Sequence, residues 1–198
     1  MATYIRRPFS MRLVRTTLRI LLASLFWFVV LSVLWVGLLG IVDPPVTWVM
    51  ADQAGEQEQF SRIRVDLKDI SRSLPLSVIA SEDQRFMTHN GFSWEAMKKA
   101  LERNKTAKRI KGGSTISQQT AKNAFLWPGR TYVRKGLEAW FTVLIELLWT
   151  KERILEVYLN IAEMGKGVFG AEAAAQHCFN RPAANLTREQ AAFITATL

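Results

Sequence analysis

A mainly α-helical globular domain behind one N-terminal membrane-spanning helix is the fold that the sequence predicts. The chain has 198 residues, enough for one domain of ordinary size and an appendage. From Ile20 to Val42 it carries no charged residue. After about Ile63 apolar residues recur at spacings of three and four, as in "SWEAMKKALERN" and "VRKGLEAWFTVLIELLWTKERILEVYLNIAEM", and alternating runs are few.

Residues 1–19 form a basic tail, with Arg6, Arg7, Arg12, Arg15 and Arg19 and no acid. The run 20–42 reaches about 35 Å as a helix, sufficient to cross a hydrocarbon core of about 30 Å. A cleaved signal peptide would have an apolar region of only about 7–15 residues and a small-residue cleavage site, and no A-x-A pattern follows the apolar run here. Arginines before the span and Asp43 after it put the N-terminus in the cytoplasm and the remainder outside. Residues 43–62 read as a tether opened by Pro44 and Pro45, with Trp48 and Met50 near the membrane interface. Residues 63–198 are the domain, and the amphipathic pattern still running at Leu198 suggests that it continues further. The formal charge of +9 favours nucleic acid, anionic lipid or a phosphorylated substrate, and a domain outside the cytoplasm argues against nucleic acid. Cys178 is the single cysteine, which excludes an intrachain disulfide framework and a cysteine-rich zinc site.

Four stretches carry residues with chemical potential. In "KGGSTISQQTAKN", Gly112 and Gly113 precede Ser114 and Thr115, either of which suits the N-cap of a helix through Gln118, Gln119, Lys122 and Asn123. Such a helix start attracts anions, and Thr115, Gln119 and Lys122 would share a face. It is no Walker loop, and a capped helix with a polar solvent face is the plainer alternative. In "SEDQRFMTHNGF", Glu82, Phe86 and His89 would share a helical face, with Asp83 adjacent. A carboxylate beside an aromatic ring is partly desolvated and suited to proton transfer, although a first-turn acidic pair on a helix dipole is the alternative. In "RKGLEAWF", Arg134 and Glu138 are four residues apart, the spacing of an ordinary surface ion pair. "KERILEVYLN" reads as scaffold, with Leu155, Tyr158 and Leu159 on a core face and Asn160 beside it. The basic run Lys98, Lys99, Arg103, Lys105, Lys108, Arg109 and Lys111 is either a solvated face or a surface for anionic headgroups.

Taken in order behind a membrane anchor, "EDQRFMTHNG", "GGSTISQQTAKN", "RKGLEAW", "KERILEVYLN" and "GAEAAAQHCF" resemble the family 51 glycosyltransferases, the peptidoglycan polymerases, over about Leu74 to Leu198. With no S-x-x-K and no K-T-G, the chain looks like the monofunctional rather than the transpeptidase-bearing type. Members usually read T-Q-Q-L where Ser117 and Thr120 stand, and have an aromatic residue in place of Cys178. The resemblance implies a lysozyme-like helical glycosyltransferase domain in the bacterial inner membrane that polymerises lipid II into β-1,4 glycan strands with inversion, releasing undecaprenyl pyrophosphate. It implies Glu82 as the base and Glu138 as a second essential glutamate that positions Arg134, a water or a divalent ion. Lys122 and Arg134 would bind pyrophosphate. Asp83, Phe86, His89, Ser114, Thr115, Gln118, Gln119, Asn123, Lys135 and Asn160 would complete the substrate site. No cofactor is required, with a divalent cation, magnesium or manganese, left open. The partners expected are lipid II, the growing strand, membrane lipids and proteins of cell-wall synthesis or division. A glycan-cleaving enzyme and a non-catalytic anchored module are the rival classes.

Overall fold

The structure, a computed structural model, describes residues 9–54, 61–105 and 113–198. Arg6 and Arg7 of the tail, residues 55–60 of the tether, and Lys108, Arg109, Lys111 and Gly112 lie outside the described residues, as does the side chain of Arg103.

Helix α1, Phe9–Ile41, runs on through the basic residues Arg12, Arg15 and Arg19 rather than starting at Ile20. Its stretch Met11–Ile41 is apolar and long enough to cross a membrane. The N-terminal half touches little, whereas the C-terminal half packs on the domain. Trp35 meets Phe125 and Phe141 edge-on at 5.3 and 6.1 Å, and Phe28 meets Trp140 at 6.0 Å. Trp149 Nε1 donates to the Val36 carbonyl at 2.8 Å, and Arg153 Nη2 donates to the Leu39 carbonyl at 2.9 Å. The second bond satisfies one of the carbonyls that a helix end leaves unpaired, and does so with a cation at the negative end of the dipole.

The segment expected to be a tether is instead part of the fold as far as Ala54. Asp43 accepts from Arg153 at 2.8 Å and pairs with Arg64, while Arg62 donates to the carbonyls of Pro44 and Pro45. Thr47 Oγ1 then accepts from the Met50 amide at 3.3 Å to open α2, Trp48–Ala54, and Met50 is fully buried. Proline ends α1, as its missing N–H dictates, but the chain turns back onto the domain instead of leaving it.

The remaining helices are α3 (Ser73–Glu82), α4 (Trp94–Asn104), α5 (Ile116–Phe125), α6 (Tyr132–Leu148), α7 (Lys151–Ile161), α8 (Ala171–Phe179) and α9 (Arg188–Thr195). Helix α5 is central, packed against α6 and α7, while α3 packs against α9 and α1 against α6. Capping threonines Thr115, Thr131, Thr150 and Thr187 open α5, α6, α7 and α9, each accepting a backbone N–H. In the core Leu74, Ile116, Ile145, Ile154 and Leu159 are fully buried, as are the rings of Phe86, Tyr158 and Phe169.

A three-stranded sheet that the helical periodicity gave no sign of completes the fold. Strands β1 (Ser61–Arg62), β2 (Glu163–Gly165) and β3 (Val168–Phe169) lie in the order β1-β3-β2, with β1 parallel and β2 antiparallel to β3. Ser61 is opposite Val168 and Arg62 opposite Phe169. Strands of two or three residues are too short to display a period of two. After β3, Gly170 at φ +87° turns the chain into α8, and a Cβ there would stand 3.0 Å from the Asn160 carbonyl oxygen.

Candidate active site

A cleft of about 490 Å³ lies between the end of α3, the outer face of α5, the start of α6 and the end of α7. Glu82, Gln119, Lys122, Asn123, Arg134 and Tyr158 line it, together with Arg130 and Trp127 from the α5–α6 loop and Glu163 from β2. Residues separated by more than fifty positions thus share one concavity, a typical setting for a small-molecule site.

Glu82 is the last residue of α3, at neither a first turn nor the middle of a helix. The helix stops there because Asp83 takes φ −159°, so the expected helical face of Glu82, Phe86 and His89 does not form. Its carboxylate accepts a hydrogen bond from Gln119 Nε2 at 2.8 Å. Phe86 is fully buried and does not line the cleft; Lys151 Nζ stands 4.6 Å over its ring.

The helix start at Thr115 is occupied by the chain's own groups. Asp83, 7 % exposed, accepts from the Ile116 amide at 3.1 Å and from His89 Nε2 at 2.8 Å. His89 Nδ1 accepts from the Gly91 amide at 3.1 Å, which leaves the ring proton on Nε2 for Asp83. Thr115, rather than Ser114, is the N-cap; with Gln118 it forms a reciprocal capping box, and its hydroxyl donates to the Gly91 carbonyl at 2.6 Å. Gly91 sits at φ +85°, and a Cβ there would meet Thr142 at 2.7 Å. Asp83, Phe86, His89, Thr115 and Gln118 therefore build the wall behind the cleft and do not face it, and Ser114 is exposed outside it. Of the expected face of Thr115, Gln119 and Lys122, only the last two reach the cleft.

Asn160 also lies outside the cleft, 1 % exposed. Its amide accepts from the Val65 N–H at 2.9 Å and donates to the Val65 carbonyl at 2.8 Å, pairing like a strand residue with the segment that follows β1.

The cationic side of the cleft is set by α5 and α6. Arg134 Nη1 lies 3.6 Å from Glu138, which is 3 % exposed and also accepts from Lys135 Nζ. Glu138 and Lys135 do not line the cleft; Glu138 stands behind Arg134 and anchors it. The Arg134 Nε is buried with no hydrogen-bond partner among the described residues. Burial lowers the pKa of Lys122 below the ordinary lysine value; Glu138 opposes this, and Arg134 and Lys135 add to it. An ammonium so desolvated gains more from an arriving anion than one in water. Arg130, Trp127 and Glu163 escape the sequence reading, and Tyr158 reads there only as a core residue. Only Tyr158 carried a signal, since a tyrosine at a core position needs a partner for its hydroxyl.

Among known proteins, the family profile described as Transglycosylase matches residues 49–198. A protein of Caulobacter vibrioides named as a biosynthetic peptidoglycan transglycosylase is 53 % identical over 188 residues, 94 % of this chain and 82 % of the relative. Proteins of the same name from Aeromonas hydrophila and Xanthomonas axonopodis pv. citri are 47 % and 50 % identical, covering 98 % and 94 % of this chain and 82 % and 79 % of the relatives. A match across three quarters of the chain, around a cleft in which Glu82 shares the lining with a group of cations, places this protein in the transglycosylase family, the glycosyltransferases that make peptidoglycan.

Proposed function

We propose that this chain polymerises lipid II, with Glu82 as the base and Lys122, Arg130 and Arg134 as the pyrophosphate clamp. The observation that carries this reading is the position of Glu82 in the same cleft as those three cations. Making a β-1,4 bond from an α-linked pyrophosphate donor inverts the anomeric carbon, so the 4-hydroxyl of the acceptor sugar attacks opposite the leaving group. Glu82 takes the hydroxyl proton. The pyrophosphate leaves as an anion that needs charge neutralisation more than protonation, and cations aimed at it stabilise the transition state. Glu138, held between Arg134 and Lys135, acts by fixing the direction of Arg134. The anchor α1 holds the domain at the membrane where a polyprenyl substrate resides, with the N-terminus cytoplasmic and the domain on the outer side of the bacterial inner membrane.

The test is strand formation from purified lipid II by the full chain, beside release of fragments from purified sacculi. Glu82→Gln should polymerise at least about 10²-fold more slowly while still binding lipid II, on the scale of general base catalysis. Near-normal polymerisation by that variant removes Glu82 from the mechanism, and release from sacculi without polymerisation assigns a hydrolase. A chelator arm addresses the metal. Unchanged activity assigns charge neutralisation to the side chains, whereas a loss restored by magnesium or manganese assigns a cation. A reporter fused after Leu198 should be active on the outer side of the membrane only.

A further inference from the structure

We propose that Tyr158 is a positioning residue for polymerisation: through the side-chain amide of Gln119 it fixes the donor that Glu82 receives, and so holds that carboxylate in its charged, proton-accepting form. The proposal rests on the reading of Glu82 as the base.

Three elements meet in a chain of two hydrogen bonds. On α7 Tyr158 is fully buried at the lining of the cleft, and its hydroxyl donates to Gln119 Oε1 at 3.3 Å. On α5 the other end of the same amide, Nε2, donates to Glu82 Oε2 at 2.8 Å. An ionised carboxylate offers acceptors only, so Gln119 must turn its NH₂ toward Glu82 and its carbonyl toward Tyr158. The phenol then has one role, that of donor. A flipped amide would set carbonyl against carboxylate and leave the phenol proton facing an NH₂ group.

The environment keeps that role constant. Burial, and after it the charge of Glu82, raise the pKa of Tyr158 above the ordinary phenol value, so the hydroxyl retains its proton throughout the range in which an enzyme works. Among the described residues, the other charged side chains lining the cleft with Glu82 are Lys122 on α5, Arg134 on α6, Arg130 on the loop before it and Glu163 on β2. Asp83 beside it is engaged with His89 and the Ile116 amide, and α9, packed along α3, brings no ionisable side chain to the cleft. Among the described residues, Gln119 is the side chain that hydrogen-bonds the Glu82 carboxylate. Replacing Tyr158 by phenylalanine leaves Gln119 Oε1 without its donor, the amide becomes free to turn, and a proton then binds Glu82 more readily.

The experiment is the pH–rate profile of lipid II polymerisation by the full chain, for wild type, Tyr158→Phe, Gln119→Met, the double variant and Glu82→Gln. Tyr158→Phe should move the acid limb of kcat upward by about one pH unit, a loss of about tenfold at a fixed pH below the limb that is recovered above it. KM should change far less than kcat. Gln119→Met should show the same displacement, and the double variant no more than either single one, because both act through one bond to Glu82. A loss in Tyr158→Phe that is equal at every pH, or displacements that add in the double variant, overturns the positioning role. If Tyr158→Phe does not fold, as judged by circular dichroism and Tm, Gln119→Met carries the test alone, and an unmoved acid limb in it overturns the proposal. An inactive Glu82→Gln beside an unmoved limb in Tyr158→Phe defeats the positioning role only, whereas an active Glu82→Gln defeats the base assignment itself.

Discussion

Lys122 shows how its surroundings change the chemistry of a single residue. Burial is the main influence lowering its pKa, Glu138 counters it, and Arg134 adds to it. A lysine with a lowered pKa is charged below that value and discharges as pH rises through it, earlier than an exposed lysine does. Turnover should therefore fall on the alkaline side. Glu138→Gln removes the countering charge and should move the alkaline limb of polymerisation to lower pH, while Arg134→Ala removes a cation and should move it higher. Identical alkaline limbs in all three proteins would separate Lys122 from the clamp. In absolute rate Arg134→Ala should lose about 10²-fold in kcat, the scale of a lost oxyanion donor. Arg134→Lys should keep part of the activity, because an ammonium supplies charge without the two-pronged geometry of guanidinium.

Among the elements, α5 is the one on which the cleft depends, and its N-terminus is tied down twice. Thr115 closes the capping box and bonds the Gly91 carbonyl, and Asp83 accepts the Ile116 amide. Thr115→Ala should cost about 1–2 kcal/mol in unfolding, a cap and a buried hydrogen bond together. Urea denaturation would measure this, and an unchanged midpoint would mean that Asp83 alone holds the helix start. Asn160→Ala is the corresponding test on α7. Leaving the Val65 N–H and carbonyl unpaired should cost about 1–3 kcal/mol, with KM for lipid II unchanged. A raised KM without loss of stability would return Asn160 to the substrate site.

For the molecule as a whole, the anchor is part of the folded domain. Half of α1 lies on a surface formed by Phe125, Phe141, Trp140 and Trp149, and Trp140 Nε1 donates to Ser32 Oγ at 3.1 Å on that same face. The apolar surface continues onto α6 beside it, where Val143, Leu147 and Leu148 are exposed. Removing residues 1–41 should uncover the aromatic surface and strip Arg153 of its bond to Leu39. The truncated chain should unfold at a lower temperature than the full chain in the same detergent and should aggregate without it. Equal Tm values for the two would show that α1 is only a leash.

The mainly α-helical class and the long apolar span were legible along the chain, since helices and membrane segments follow from local periodicity and composition, whereas the lysozyme-like form came from the resemblance to a known family. Glu82, Gln119, Lys122 and Arg134, which line the cleft, could be named because the order of their stretches resembles a known family. The direction in which each side chain points could not. Asp83, His89, Thr115 and Gln118 sit in the same stretches and turn inward to hold the α3–α5 junction, because Asp83 ends α3 with an extended φ and a helix start needs acceptors for its free amides. Arg130 and Glu163 line the cleft from a loop and a three-residue strand, neither of which has a local pattern to betray it, and Tyr158 lines it from a core helix whose periodicity signals burial alone. Local spacing decides which face of a helix a residue occupies; the packing of α5 among α3, α6 and α7 decides what that face looks upon, and that is a property of contacts distant in the chain.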